Sequence, residues 1–196
     1  IDRSAEALQN ASKWGIHTFI ASSPLHMKYK LQMKPKEVIK TARSAVERAK
    51  KYTDHVEFSA EDATRSDPAF LVELFSEVVK AGATVLNVPD TVGYTMPHEI
   101  SALIQRLQNE VYRADQVIFS VHCHNDLGMA VANSLAAMLA GVRQVECTVN
   151  GIGERAGNAS LEEIVMSLRT RQQYYNMDCN IQSEQIYPAS RLLTKL

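Results

Sequence analysis

The chain lacks the features that define several whole classes of protein. Its three cysteines, Cys123, Cys147 and Cys179, are odd in number and far apart. No disulfide framework is therefore expected, and a reducing, cytoplasmic setting fits. No apolar run approaches the roughly 20 residues that span a bilayer, and the charged opening Ile1-Asp2-Arg3-Ser4-Ala5-Glu6 is no secretory signal. A formal charge of −1 provides neither a basic field for nucleic acid nor a polybasic patch for membranes. No strand candidate is followed by the glycine-rich fingerprint of dinucleotide-binding folds. The sequence does not open on methionine, which reads as a partial chain. What is there, 45% hydrophobic and 22% charged residues in 196, is the composition of an ordinary globular domain with one sizeable core.

Short β-rich runs alternate with longer helical patterns. The strand candidates are 16–20, 55–59, 84–88, 117–122 and 144–149, recurring at roughly 30–40 residues as β/α units do. Pro35 opens a helix whose inner stripe is Val38, Ile39, Ala42 and Val46. Asp67 caps a second, with Pro68 in its first turn, Leu71, Leu74, Phe75, Val78 and Val79 as its stripe, and Gly82 at its end. Pro97 starts a third, buried through Ile100, Leu103, Ile104 and Leu107. Asp126 is expected to cap a helix over 127–140 that Gly141 stops, and Ser160 with Glu163 has the spacing of a capping box.

Five such repeats favour a (β/α)8 barrel over a doubly wound sheet, yet a closed barrel takes about 250 residues. The expectation is an α/β fold: a partial TIM barrel of about five C-terminal β/α repeats over residues 1–171, with the first three strands missing. Residues 172–196, where the pattern breaks, read as the start of a linker into a further region.

In such a barrel, function gathers at the C-terminal ends of the strands. The fourth candidate ends in His122-Cys123-His124, where the period of two turns both imidazoles one way and Cys123 the other. Two neutral imidazoles so placed form half of a divalent-metal site, and they are equally a histidine pair bonding backbone or solvent at a helix start. The loop Asn150-Gly151-Ile152-Gly153-Glu154-Arg155-Ala156-Gly157-Asn158 tips the balance, because Asn158 offers an amide oxygen as a third ligand. Ser59 and Glu61 share one side of the second strand's end. Asp90-Thr91 ends the third, and His17 lies on the first. Helix capping or an ion pair with Arg65 is the plainer role for Glu61 and Asp62, and a core position the plainer one for His17.

Taken together, the segments 17–26, 56–64, 89–95, 121–126 and 150–158 closely resemble the 2-isopropylmalate synthase family of acyl-CoA-condensing, metal-dependent barrels. They cover nearly the whole chain in the family's order. The resemblance implies condensation of acetyl-CoA with 2-oxoisovalerate, a 2-oxo acid, to give 2-isopropylmalate and CoA in leucine biosynthesis. It also implies a homodimeric full-length enzyme. Carried over by motif, His122, His124 and Asn158 are metal ligands, for zinc, manganese, magnesium or cobalt. Ser59, Thr91 and His17 contact the 2-oxo acid, and Glu61 serves the acid/base chemistry. Gly151, Gly153 and Glu154 lie along the acyl-CoA.

Departures from the family pattern are equally specific. The family's first strand carries an Arg-Asp pair whose aspartate completes the metal site, and here Asp2-Arg3 has the reverse order ahead of a helix. The expectation is a segment that is inactive and poorly stable by itself, since a cut parallel sheet exposes backbone and apolar surface. The nearest rival is (R)-citramalate synthase, which uses pyruvate. Homocitrate synthase and hydroxymethylglutaryl-CoA lyase relatives fit the 150–158 loop less well. An amidohydrolase would carry further histidines on later strands, and none follows His124. A non-catalytic barrel fragment paired with a complementing chain is the remaining alternative.

Overall fold

The computed structural model describes all 196 residues. Five strands form one all-parallel sheet in the order β1-β2-β3-β4-β5, namely Ile16–Ala21, Val56–Glu61, Val85–Asp90, Ile118–Cys123 and Gln144–Glu146. Every crossover carries a helix: α3 (Pro35–Lys50), α4 (Pro68–Ala81), α5 (Pro97–Glu110) and α6 (Ala130–Leu139), with α7 (Leu161–Thr170) after β5. Before β1 lies α1 (Asp2–Leu8). Between β1 and α3 sits α2 (Pro24–His26), continued by a π-helical turn over Met27–Leu31. Two short helices, α8 (Gln172–Tyr175) and α9 (Ile186–Leu193), close the chain.

Local chemistry explains the helix starts. Pro35 and Pro97 occupy first-turn positions where a missing N–H costs nothing. Two residues after each, Glu37 and Glu99 accept from the backbone N–H of Lys34 and Met96 at 2.7 and 2.9 Å. Asp67 Oδ1 accepts from Phe70 N at 2.8 Å, as its capping role requires, and Gly82 ends α4 at φ +110°.

Three local expectations fail. Asp126 does not cap α6. A turn through Gly128 (φ +72°) delays the helix to Ala130, whose N–H donates to Asn125 Oδ1 at 3.1 Å, while Asp126 is drawn off by Arg155. Ser160 and Glu163 make no capping box, because the Ser160 hydroxyl donates to Glu162 Oε2 at 2.7 Å. The fifth strand stops at Glu146 instead of Val149, since Val149–Gly151 coils into a 3-10 turn with Asn150 at φ +58°.

Strand alternation then makes two unlike faces. The outer face, with Ile16, Ile20, Val56, Phe58, Leu86, Val88, Phe119 and Val121, is buried beneath the helices. There Val38, Val46, Leu71, Phe75, Ile100 and Ile104 join it in one core, and Phe58 meets Phe75 edge-on at 6.2 Å. Each such side chain contributes roughly 1.5–3 kcal/mol by leaving water. Histidine, serine, asparagine, glutamine and glutamate populate the opposite face, with Phe19, Val85 and Ile118 among them. No helix is long and apolar enough to cross a membrane.

Candidate active site

Along the carboxyl ends of the strands, the inner face opens into a cleft of about 420 Å³. Its walls bring together His17, Ser59, Glu61, Thr91, His122, His124 and Glu154, seven of the residues singled out from sequence. His17 is exposed on the cleft and no part of the core. Its Nε2 lies 2.6 Å from Ser59 Oγ, which also accepts from Asn87 Nδ2 at 2.9 Å. The plainer role for the acidic pair divides between its members. Asp62, fully buried and at φ +66°, takes Arg65 in a two-point ion pair at 2.8 and 2.7 Å. Glu61 turns into the cleft, where Oε1 meets Lys30 Nζ at 2.6 Å. Thr91 Oγ1 accepts from Asp62 N at 2.9 Å, so its hydroxyl hydrogen stays free for the cleft.

The histidine pair has the geometry the alternation requires. Cys123 is buried on the outer side, and burial pushes its thiol up to about 12, which leaves it inert. His122 Nε2 and His124 Nε2 face each other at 2.9 Å. Burial, then the neighbouring His124, holds His122 down at about 4. Burial, then the Arg155 cation, lowers His124. Both rings are therefore neutral at pH 7, the state that ligates a metal. His124 bridges to Asn158 across an isolated antiparallel β-bridge, which brings the third candidate alongside. Asn158 Nδ2 donates to Ile152 O at 3.0 Å, while Oδ1 is buried with no partner. An orphaned amide oxygen beside two neutral imidazoles is a donor set that fits a divalent cation.

Loop glycines make that seat possible. A Cβ on Gly153 would stand 2.4 Å from Asn158 Nδ2, and one on Gly157 2.1 Å from Gly151 O. Gly153 thus makes room for the Asn158 amide. Gly151 lies in the same loop with only Glu154 of the three acyl-CoA candidates lining the cleft itself.

Several residues of the site escaped the sequence reading. Phe19, Lys30, Asn87, Pro89 and Glu146 also line the cleft. Arg155 fastens three strand-end loops together, donating to both Asp126 carboxylate oxygens at 2.7 and 2.8 Å, to Thr91 O at 2.9 Å and to His124 Nδ1 at 2.6 Å. Glu146 stands beside His122 in the register, with the Glu57 carboxylate close by. Burial, then Glu57, pushes Glu146 up to about 8. His17, Glu57 and Glu146 each place a ligand atom within 4.8 Å of the others. Period-two alternation did hold the signal for Glu57, two residues before Ser59, and for Glu146, two after Gln144.

A parallel β/α sheet with a histidine-lined cleft at its carboxyl ends defines an α/β protein whose site is built as an enzyme's. Residues 1–193 match the HMGL-like family, and the chain belongs to it. It is 58% identical over 194 residues to a 2-isopropylmalate synthase of Nitrosococcus oceani. To that of Nitrosomonas europaea it is 59% identical over the same length. Each match covers 99% of this chain and 38% of the relative, so the chain spans well under half the length of these relatives. The fold matches HMG-CoA lyases of Bacillus subtilis and Pseudomonas aeruginosa, each with a TM-score of 0.81. Identities there are 19% and 18%, covering 98% of this chain and 66% of each lyase, a likeness of fold alone.

Proposed function

We propose that the chain is part of the catalytic domain of a 2-isopropylmalate synthase, which joins acetyl-CoA to 2-oxoisovalerate and hydrolyses the resulting thioester with water, releasing 2-isopropylmalate and CoA. One observation carries this reading: His122 and His124 line a single cleft with Ser59, Glu61 and Thr91, and Asn158 is bridged to His124 at its edge. Relatives named for that activity, at 58 and 59% identity, support it. On this reading residues 1–171 are part of an eight-stranded barrel, to which they contribute five consecutive strands. Residues 172–196 begin the linker, and the whole enzyme is a cytoplasmic homodimer.

His122 Nε2, His124 Nε2 and Asn158 Oδ1 would hold a divalent cation, zinc, manganese, magnesium or cobalt, with an aspartate from a further strand as fourth ligand. Bound there, the cation supplies Lewis acidity toward the ketone of the 2-oxo acid. The chain's own residues do the rest. Ser59 and His17 form a polar end for the 2-oxo acid, and the Thr91 hydroxyl donates to its carboxylate. Lys30 fixes Glu61 through Oε1, which leaves Oε2, or a water it holds, to take a proton from the acetyl methyl group. The loop carrying Gly151, Gly153 and Glu154 borders the acyl-CoA.

The test is thiol release from acetyl-CoA by a full-length protein carrying this chain, with 2-oxoisovalerate or pyruvate as co-substrate. Turnover with 2-oxoisovalerate is expected. Failure with both acids overturns the synthase reading, and a preference for pyruvate replaces it with citramalate synthesis.

A further inference from the structure

Paired imidazoles bind a cation only if each offers a bare ring nitrogen to it, so the tautomers matter. At one end of the pair stands Arg155, whose guanidinium can only donate. Its Nη2 lies 2.6 Å from His124 Nδ1, which must then accept and leave the His124 proton on Nε2. That Nε2–H faces His122 Nε2 at 2.9 Å, so the His122 nitrogen is bare and its proton sits on Nδ1. His122 Nδ1 is buried with no hydrogen-bond partner, and Glu146 Oε2 lies 3.4 Å from it. The sheet itself makes this approach, because Glu146 pairs with His122 in the β4–β5 register and adjacent residues point the same way. Glu146 is flanked in turn. A Glu57 carboxylate oxygen lies within 4.8 Å of it, and Gln144 Nε2 donates to both Glu57 carboxylate oxygens at 3.0 and 3.2 Å.

We infer that Glu146 is a positioning residue for the site: its carboxyl group keeps the His122 proton on Nδ1 and so presents Nε2 bare to a cation. This rests on the reading of His122 as a metal ligand. Glu57, held by Gln144, stands beside that carboxyl, which gives a polar cluster of the inner sheet face a task. An acceptor oxygen behind a ligating histidine fixes the tautomer and orients the ring. His124 is prepared differently. Its bare nitrogen points at Arg155, so it releases that contact when Nε2 takes a cation.

Two measurements on the protein test this, with Mn2+ as the probe. Glu146→Ala should weaken Mn2+ binding by about 10–100-fold, the usual cost of losing such a partner. Glu146→Gln, whose amide oxygen can still accept from Nδ1, should restore most of it. The second readout needs no metal: nitrogen-15 shifts of the His122 ring in the metal-free protein should show a protonated Nδ1 that Glu146→Ala redistributes between the two nitrogens. Mn2+ affinity within twofold of the parent in Glu146→Ala, together with an unchanged His122 ring spectrum, overturns the proposal. If His122→Ala leaves Mn2+ binding intact, the ligand reading falls. The ring spectrum of the metal-free protein then still decides whether Glu146 sets the tautomer.

Discussion

The two faces of one sheet differ more than any two elements of the chain. On the outer face Val56, Phe58, Leu86, Val88 and Val121 are sealed under α3, α4 and α5. On the inner face, Ser59, Asn87 and His122 alternate with them along the same strands, and Glu57, Glu61 and Glu146 stand among them. Barrel interiors are ordinarily filled by bulky branched side chains. Here hydrogen-bonding groups share the inner face with only a few apolar ones, Phe19, Val85, Pro89 and Ile118, and most of the stability has to come from the helical side. A single residue shift in register would exchange the two sets, which is why the pattern fixes the pairing so firmly.

That division predicts that outer-face variants unfold the protein and inner-face variants disarm it. The largest effect is expected at Phe58, fully buried against Phe75. Phe58→Ala should lower the unfolding free energy by about 3–5 kcal/mol, read from denaturant midpoints, because the cavity adds to the lost transfer energy. A smaller loss would mean that the helices relax onto the sheet.

Next comes the inner face. Glu61→Gln keeps the side chain's shape and its contact with Lys30 but cannot take up a proton. Turnover of acetyl-CoA with 2-oxoisovalerate, assayed in a full-length protein carrying this chain, should fall at least about 100-fold, the lower end for a general base. The denaturant midpoint should barely move. A variant that unfolds easily yet turns over normally would reverse the comparison at this residue.

A third effect lies at the edge of the helical layer. Asp67→Ala removes the acceptor for Phe70 N, and should cost about 1 kcal/mol with cation binding in the cleft unchanged. Altered Mn2+ affinity would show that the two layers communicate through α4.

Most of this division was legible in the sequence, because period two and the helical stripe are consequences of backbone geometry alone. His122 and His124 on one side with Cys123 on the other follow from spacing, as do the stripes of α3, α4 and α5. What escaped depends on contacts distant in sequence. Asp126 is a good cap by type, and only the fold reveals that Arg155, 29 positions later, claims its carboxylate. Ser160 likewise loses its capping task to Glu162, which also receives Asn150 N across the loop. Glu146 reads as one more acid on a short strand until the register sets it against His122.

One residue crosses the division, and it carries the smallest prediction. Thr18 lies on the outer face of β1, only 7% exposed, and its Oγ1 has no hydrogen-bond partner. A buried hydroxyl without a partner forfeits its hydration and gains nothing in return, whereas an apolar group of the same shape avoids that cost. Valine differs from threonine by a methyl in place of the hydroxyl and shares its preference for strands. Thr18→Val should therefore raise stability by a few tenths to about 1 kcal/mol, with Mn2+ binding unaffected because the side chain faces away from the cleft. A loss of stability would mean that the hydroxyl has a partner in solution, and that β1, at one edge of the sheet, is less firmly sealed than β2 and β3.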